Sequence, residues 1–65
     1  MKFKILCHKG DAQFDYDTEI ASIKFDELRG SGMLPMKISP DGNVPMRVFD
    51  PNAVEVMWVP AIAGG

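Results

Sequence analysis

Alternating apolar and polar residues at the start of the chain predict a strand. In the segment KFKILC, Phe3, Ile5 and Cys7 share one face, because successive side chains of a strand point to opposite sides of the sheet. We therefore expect Cys7 to be a small core residue that cannot hydrogen-bond to the adjacent His8 as a catalytic pair would. The opposite face carries Lys2, Lys4 and Leu6.

Two turn signals predict hairpins. Gly10 and Asp11 follow the first strand and lead into QFDYD, since glycine accepts a positive φ and aspartate hydrogen-bonds to nearby backbone. The run 40–43, Pro-Asp-Gly-Asn, separates MLPMKI from VPMRVFD and predicts a second hairpin. Pro35 and Pro45 remove backbone donors, so we expect these strands to be short, interrupted or edge-facing there.

Residues 18–29 admit two interpretations. As a helix, the segment would be capped by Asp17 or Thr18 and stopped by Gly30. Its apolar stripe would then contain Ala21, Phe25 and Leu28, with Ile20 at the edge. As a strand, it would turn Ala21, Ile23 and Phe25 inward. We favour the helix for two reasons. The segment DELRG has a low strand propensity, and a two-stranded hairpin needs another element packed on it to be stable.

The segment VEVMWV predicts the last strand, with Val54, Val56 and Trp58 on one face. The predicted order is strand, strand, helix, strand, strand, strand. That order suits an α+β fold in which a mixed sheet of four to five strands packs on one helix, with the first and last strands parallel at the centre. The other sheet face is then open, and its predicted apolar residues are Leu6, Met57 and Val59.

Composition narrows the classes of function. The chain has 65 residues, of which 46% are apolar and 25% charged, as in an ordinary globular domain. We expect one domain over residues 1–60 and a flexible tail over 61–65. A net charge of −2 does not indicate the basic surface that binds the phosphate backbone of nucleic acid. One cysteine allows no internal disulfide, which favours a cytoplasmic protein, and the start is typical of neither a signal peptide nor a membrane span.

No motif for metal binding or catalysis stands out. The chain has one histidine, His8, and no second histidine or cysteine at ligand spacing, so we expect an exposed turn residue and no metal or cofactor. The acidic residues match neither a calcium loop nor a placed carboxylate pair. We interpret them as solvated surface; they include Asp11, Asp15, Asp17, Glu19, Asp26 and Glu27.

The segment 55–65, EVMWVPAIAGG, runs from the predicted last strand into two glycines. A glycine pair packs nothing and loses the most backbone entropy on ordering, so it adds no stability. The strand order, the length and this ending resemble the small β-grasp, ubiquitin-like proteins that finish in Gly-Gly, above all the sulfur carriers of thiamine and molybdopterin synthesis. Only residues 59–65 carry the resemblance at the level of sequence.

That resemblance implies a carrier or modifier that is not itself an enzyme and whose partner is an adenylating enzyme. Gly65 would supply the carboxylate that is activated, Gly64 the slender approach, and Ala63 would lie beside them. The turn before the last strand, FDPNAVEV, departs from the acidic, glycine-containing turn of the metabolic carriers.

The chain also resembles ubiquitin-like domains of tailed-phage proteins, in which an apolar strand runs into a small, glycine-containing stretch. This second resemblance implies a small interaction module of a phage or mobile element. Such a module would bind a protein partner through the open sheet face around Leu6, Met57 and Val59.

Overall fold

Five strands and one helix make up the part of the chain that the computed structural model describes, residues 1–7 and 9–61. The expectation of an α+β fold with one helix on a mixed sheet is confirmed. The elements are β1 (Lys2–Ile5), β2 (Ala12–Asp15), α1 (Thr18–Gly30), β3 (Met33–Ser39), β4 (Gly42–Pro45) and β5 (Glu55–Pro60).

The sheet is built around its last strand. The strand order is β2-β1-β5-β3-β4, so β5 lies at the centre. It pairs in parallel with β1, which places Phe3 beside Val56 and Ile5 beside Trp58. The pairings of β1 with β2, of β3 with β5 and of β3 with β4 are antiparallel. The first and last strands therefore lie side by side in the middle of the sheet.

Both predicted hairpins are present, and glycine occupies the strained position in each. Gly10 has a φ of 126° and donates its N–H to the carbonyl of Cys7 at 3.0 Å. In the second hairpin Ser39 pairs with Gly42, whose φ is 128°. The Ser39 hydroxyl donates to the Gly42 carbonyl at 2.7 Å. A residue with a side chain rarely adopts such φ values, so these glycines fix where each turn forms.

The prolines lie where a missing donor costs little. Pro45 is the last residue of the edge strand β4. The carbonyl of Pro35 accepts the N–H of Met46 at 3.0 Å, so the donor that Pro35 lacks faces the β4 side. The pairing between β3 and β4 begins only at Met36. The hydrogen bond that Pro35 cannot donate would therefore fall at the end of that pairing. The expectation holds for Pro45, which ends a short edge strand, whereas β3 is a seven-residue interior strand that continues through Pro35.

The helical interpretation of residues 18–29 is confirmed, and the strand alternative is wrong. Asp17 is the N-cap, and its Oδ1 accepts the N–H of Ile20 at 2.9 Å. Ala21 and Phe25 are buried against the sheet, as the apolar stripe predicts. Ile20 remains exposed at the edge of that stripe.

The helix ends slightly later than predicted. Gly30 is its last residue instead of its stop. Ser31 is the C-cap, and its hydroxyl donates to the carbonyl of Leu28 at 2.8 Å. Gly32, with a φ of 95°, then turns the chain into β3. The left-handed turn therefore falls on the second glycine of the GSG run.

An aromatic core joins the sheet to the helix. The indole of Trp58 lies 5.5 Å from the ring of Phe3 and 5.2 Å from the ring of Phe25, measured between centroids. Phe49 packs its edge against Phe25 at 5.5 Å. Because Phe49 lies in the connection between β4 and β5, that connection runs on the helix side of the sheet. The buried residues are Phe3, Ala21, Phe25, Met46, Ala53, Val56 and Trp58.

Two residues predicted to share a strand face with core residues are exposed. Cys7 is exposed because β1 ends at Ile5 and the chain has already entered the turn to Gly10. Val54 is 79% exposed because β5 begins only at Glu55, so the strand alternation does not extend back to it. Ala53, not Val54, completes the core at that end of the strand.

Trp58 gives a test of this core. Replacing it by alanine should lower the free energy of unfolding by about 3–5 kcal/mol. Its Nε1 has no hydrogen-bond partner among the described residues, and an unpaired buried donor is itself costly. Trp58→Phe, which removes that donor and keeps an aromatic ring, should therefore destabilise less. Urea unfolding followed by far-ultraviolet circular dichroism measures both, and an alanine variant as stable as the wild type would contradict the core assignment.

Candidate functional site

The sheet face turned away from α1 is the candidate site, and we call it the open face. The helix and the connection between β4 and β5 both pack on the other face. Among the described residues, no element covers the open face. Its apolar side chains are Leu6, Leu34, Met36, Ile38, Met57 and Val59.

Strand register brings these side chains together. Met57 of β5 lies between Lys4 of β1 and Met36 of β3, and residues in register share a face. Val59 lies beside Leu34 in the same way. Leu6 follows β1, and its N–H donates to the carbonyl of Trp58 at 2.9 Å, so the pairing continues and Leu6 shares the face of Lys4.

The apolar surface is continuous and partly accessible. Leu34 is 52% exposed, and its neighbours on the open face are half-buried. Single exposed apolar residues are common, but a contiguous group on one flat face is typical of an interaction site. The position of Met57 in the middle of this group makes it the natural centre of a contact.

Charged residues border the apolar rows. At one end of the open face, Lys2 lies in register between Asp15 and Glu55, so opposite charges alternate across three strands. In the next row Lys4 lies between Gln13 and Met57 and has no carboxylate directly opposite. The open face thus has an apolar centre and a charged border, the arrangement of many protein interfaces.

A groove adjoins the open face at the point where β4 ends. Its volume is about 270 Å³. The guanidinium of Arg29, at the end of α1, donates a hydrogen bond to the backbone carbonyl of Arg47, which follows β4. We call this the arginine groove; its lining residues are Arg29, Leu34, Pro35, Met36, Pro45, Met46, Arg47 and Val59.

A second groove lies between the end of β3 and the start of β5, and two of its charged lining residues pair with each other. Lys37 Nζ lies 3.3 Å from Asp50 Oδ2. The backbone N–H of Asn52 donates to Asp50 Oδ1 at 2.9 Å. The hydrogen bond from Asn52, followed by Lys37, lowers the pKa of Asp50 below its usual value. These contacts hold the connection between β4 and β5 onto the sheet.

The sequence-predicted site residues divide into two sets. Leu6, Met57 and Val59 lie together on the open face. Ala63, Gly64 and Gly65 lie outside the described residues, as does the predicted turn residue His8. Sequence reasoning missed the open-face residues of β3 and the arginine pair. The alternation in MLPMKI would have predicted the shared face of Leu34, Met36 and Ile38.

The described residues contain no group of three or more histidine, cysteine, aspartate or glutamate side chains that could hold a metal ion. Within residues 1–7 and 9–61, no helix combines the length and the apolar character that a bilayer crossing requires. No protein-family model matches the chain, and comparisons with curated proteins and with solved structures found no significant match. The geometry of the open face and its grooves is therefore the basis for a functional proposal.

The lowered pKa of Asp50, caused first by the Asn52 N–H and then by Lys37, predicts a pH dependence of stability. A carboxylate whose pKa is lower in the folded state stabilises the fold above its unfolded pKa, near 3.8, and loses that contribution as the pH falls through the folded value. Asp50→Asn should therefore be less stable than the wild type at neutral pH, with the difference shrinking in acid. Urea midpoints measured across this range test it. Asp26→Asn, an exposed change on α1, is the control and should show no such convergence.

Proposed function

We propose that this chain is a β-grasp, ubiquitin-like module that binds a protein partner through its open face. Parallel pairing of β1 with β5 at the centre of the sheet, with a hairpin on each side and one helix across one face, supports the β-grasp assignment. The continuous apolar surface of the open face carries the functional proposal. Its residues gain most by burial against another apolar surface.

A protein fits this surface better than other ligand classes. The centre of the open face consists of aliphatic and methionine side chains, and methionine adapts to irregular partner surfaces. A small molecule would need an enclosed cavity, whereas no element among the described residues covers this face. Single-stranded nucleic acid would need aromatic stacking platforms and a basic groove. The described open-face residues include no aromatic side chain, and the chain is acidic.

Met57→Asp tests the proposal. The new carboxylate would lie at the centre of the contact, where burying an unpaired charge is costly, so we expect at least about a tenfold loss of partner affinity. The variant should still fold, because Met57 is only half-buried. Tagged protein is first used to identify a partner in extracts of its host, and calorimetry with that purified partner then gives the affinities.

Ile23→Asp is the matched control. Ile23 is 56% exposed on α1, so the same charge enters on the opposite side of the molecule. Partner affinity should be unchanged in this variant. Equal affinity of both variants for the partner would refute a binding role for the open face. A wild type that sediments as a dimer, and becomes a monomer with Met57→Asp, would identify the partner as a second copy.

A second candidate function is the carrier role, in which an adenylating enzyme activates the carboxylate of Gly65. One observation favours it: β5 carries Val59 on the open face and ends one residue later, at Pro60. From Val59 to Gly65 is six residues, a reach of at most roughly 20 Å. The glycine pair would therefore be within reach of an enzyme docked on the open face. The role requires that Gly65 carry the free carboxylate.

Intact mass spectrometry of protein recovered from its host tests the carrier role. A thiocarboxylate replaces one oxygen by sulfur and adds about 16 mass units. Deletion of Gly64 and Gly65 should abolish this product without changing the melting temperature, because the pair packs nothing. Recovery of only the unmodified protein while the adenylating enzyme is present would falsify the carrier role. Partner binding that survives the deletion would favour the binding module alone.

A further inference from the structure

We infer that the arginine groove binds a segment of the protein partner in which a carboxylate lies next to aliphatic side chains. This inference rests on the proposed function, because it names the chemistry of a partner that occupies the same side of the sheet. The groove shares Leu34, Met36 and Val59 with the open face. A partner docked on that face would therefore reach the groove without a separate binding event.

The floor of the groove selects aliphatic side chains. Leu34, Met36 and Val59 come from β3 and β5, and Pro45 ends β4 beside them. Because β4 stops at Pro45, no strand continues next to the first residues of β3, which leaves a depression at the edge of the sheet. A volume of about 270 Å³ is below the range of roughly 300–1,000 Å³ that is usual for small-molecule pockets. It suits individual side chains of a peptide.

The wall of the groove selects an anion. Both of its charged lining residues are arginines, and no carboxylate is among the described residues that line it. Arg29 is held in place by its hydrogen bond to the carbonyl of Arg47, and its guanidinium carbon lies 6.0 Å from the centre of the Phe25 ring. A cation fixed in this way loses little conformational entropy when an anion binds.

Arg47 itself has donors to offer. Its carbonyl is occupied, but its exposed side chain makes no hydrogen bond or ion pair within residues 1–7 and 9–61. Guanidinium groups present two parallel donors that match the two oxygens of a carboxylate. The lysines of the described ion pairs, Lys24 and Lys37, already have carboxylate partners. The groove therefore has an unpaired positive charge on a chain whose net charge is −2.

The complementary ligand has both features at once. A purely acidic segment would leave the apolar floor in water, and a purely aliphatic one would desolvate the guanidinium groups without pairing them. A carboxylate flanked by leucine-like side chains satisfies the wall and the floor together. Attraction between exposed charges is screened beyond about 10 Å at moderate salt, so the preference should weaken as salt is added.

The test uses the whole protein, labelled with nitrogen-15, and three capped hexapeptides that alternate leucine with glutamate, glutamine or lysine. We expect the glutamate peptide to shift the amide signals of Leu34, Met36, Arg47 and Val59 in nuclear magnetic resonance titrations. It should bind about two- to fivefold more tightly than the glutamine peptide at low salt, and the lysine peptide should bind most weakly. Arg47→Gln should remove the preference, while Lys24→Gln, which makes the same charge change on α1, should keep it.

Each outcome decides the inference. Equal binding of the glutamate and glutamine peptides at the groove would overturn the charge selection. Shifts confined to Leu6, Lys4 and Met57 would overturn the groove as the binding place and leave open-face binding intact. Absence of shifts at the groove with every peptide would also overturn it, and the partner affinity of Met57→Asp would decide the proposed function independently. A preference that persists in Arg47→Gln would overturn the role of the Arg47 guanidinium in the charge selection, since Arg29 alone would then account for it.

Discussion

Burial of Trp58 is the contact on which the rest of the structure depends. Its indole fills the space between the sheet and the helix, against the rings of Phe3 and Phe25. Because it belongs to the central strand, its inward direction fixes the direction of every residue in that strand. Met57 and Val59 must then point away from the helix. The aromatic core and the open face are therefore two consequences of one strand orientation.

All the covering elements of the described residues lie on one face of the five-stranded sheet. These residues contain one helix, and their longest connection, between β4 and β5, also packs on the helix side through Met46, Phe49 and Ala53. Small domains bury a modest fraction of their surface, so concentrating all covering elements on one face secures a single dry core. The other face keeps its aliphatic side chains accessible, and a partner protein can bury them.

In the proposed complex, the open face and the arginine groove would contribute differently to recognition. Apolar burial at the open face supplies binding free energy but distinguishes poorly between aliphatic partners. The groove adds a requirement for a carboxylate in one position, because guanidinium groups desolvated without an anion oppose binding. Where an enzyme acts on the glycine pair, docking on this side would also hold it within reach of Gly65. The two proposed roles would thus use one surface.

Local patterns in the sequence were enough to determine the elements, the hairpin at Gly42, the cap at Asp17 and the inward direction of Val56 and Trp58. These depend on neighbouring residues, whose periodicity and turn chemistry are independent of the rest of the chain. The ends of the strands could not be predicted, because a strand ends where its pairing with a neighbour ends. Cys7 and Val54 were therefore wrongly assigned to inward positions of β1 and β5. Only the tertiary structure joined β3 to the apolar face and brought together two arginines 18 positions apart, because register and helix docking are set by long-range packing.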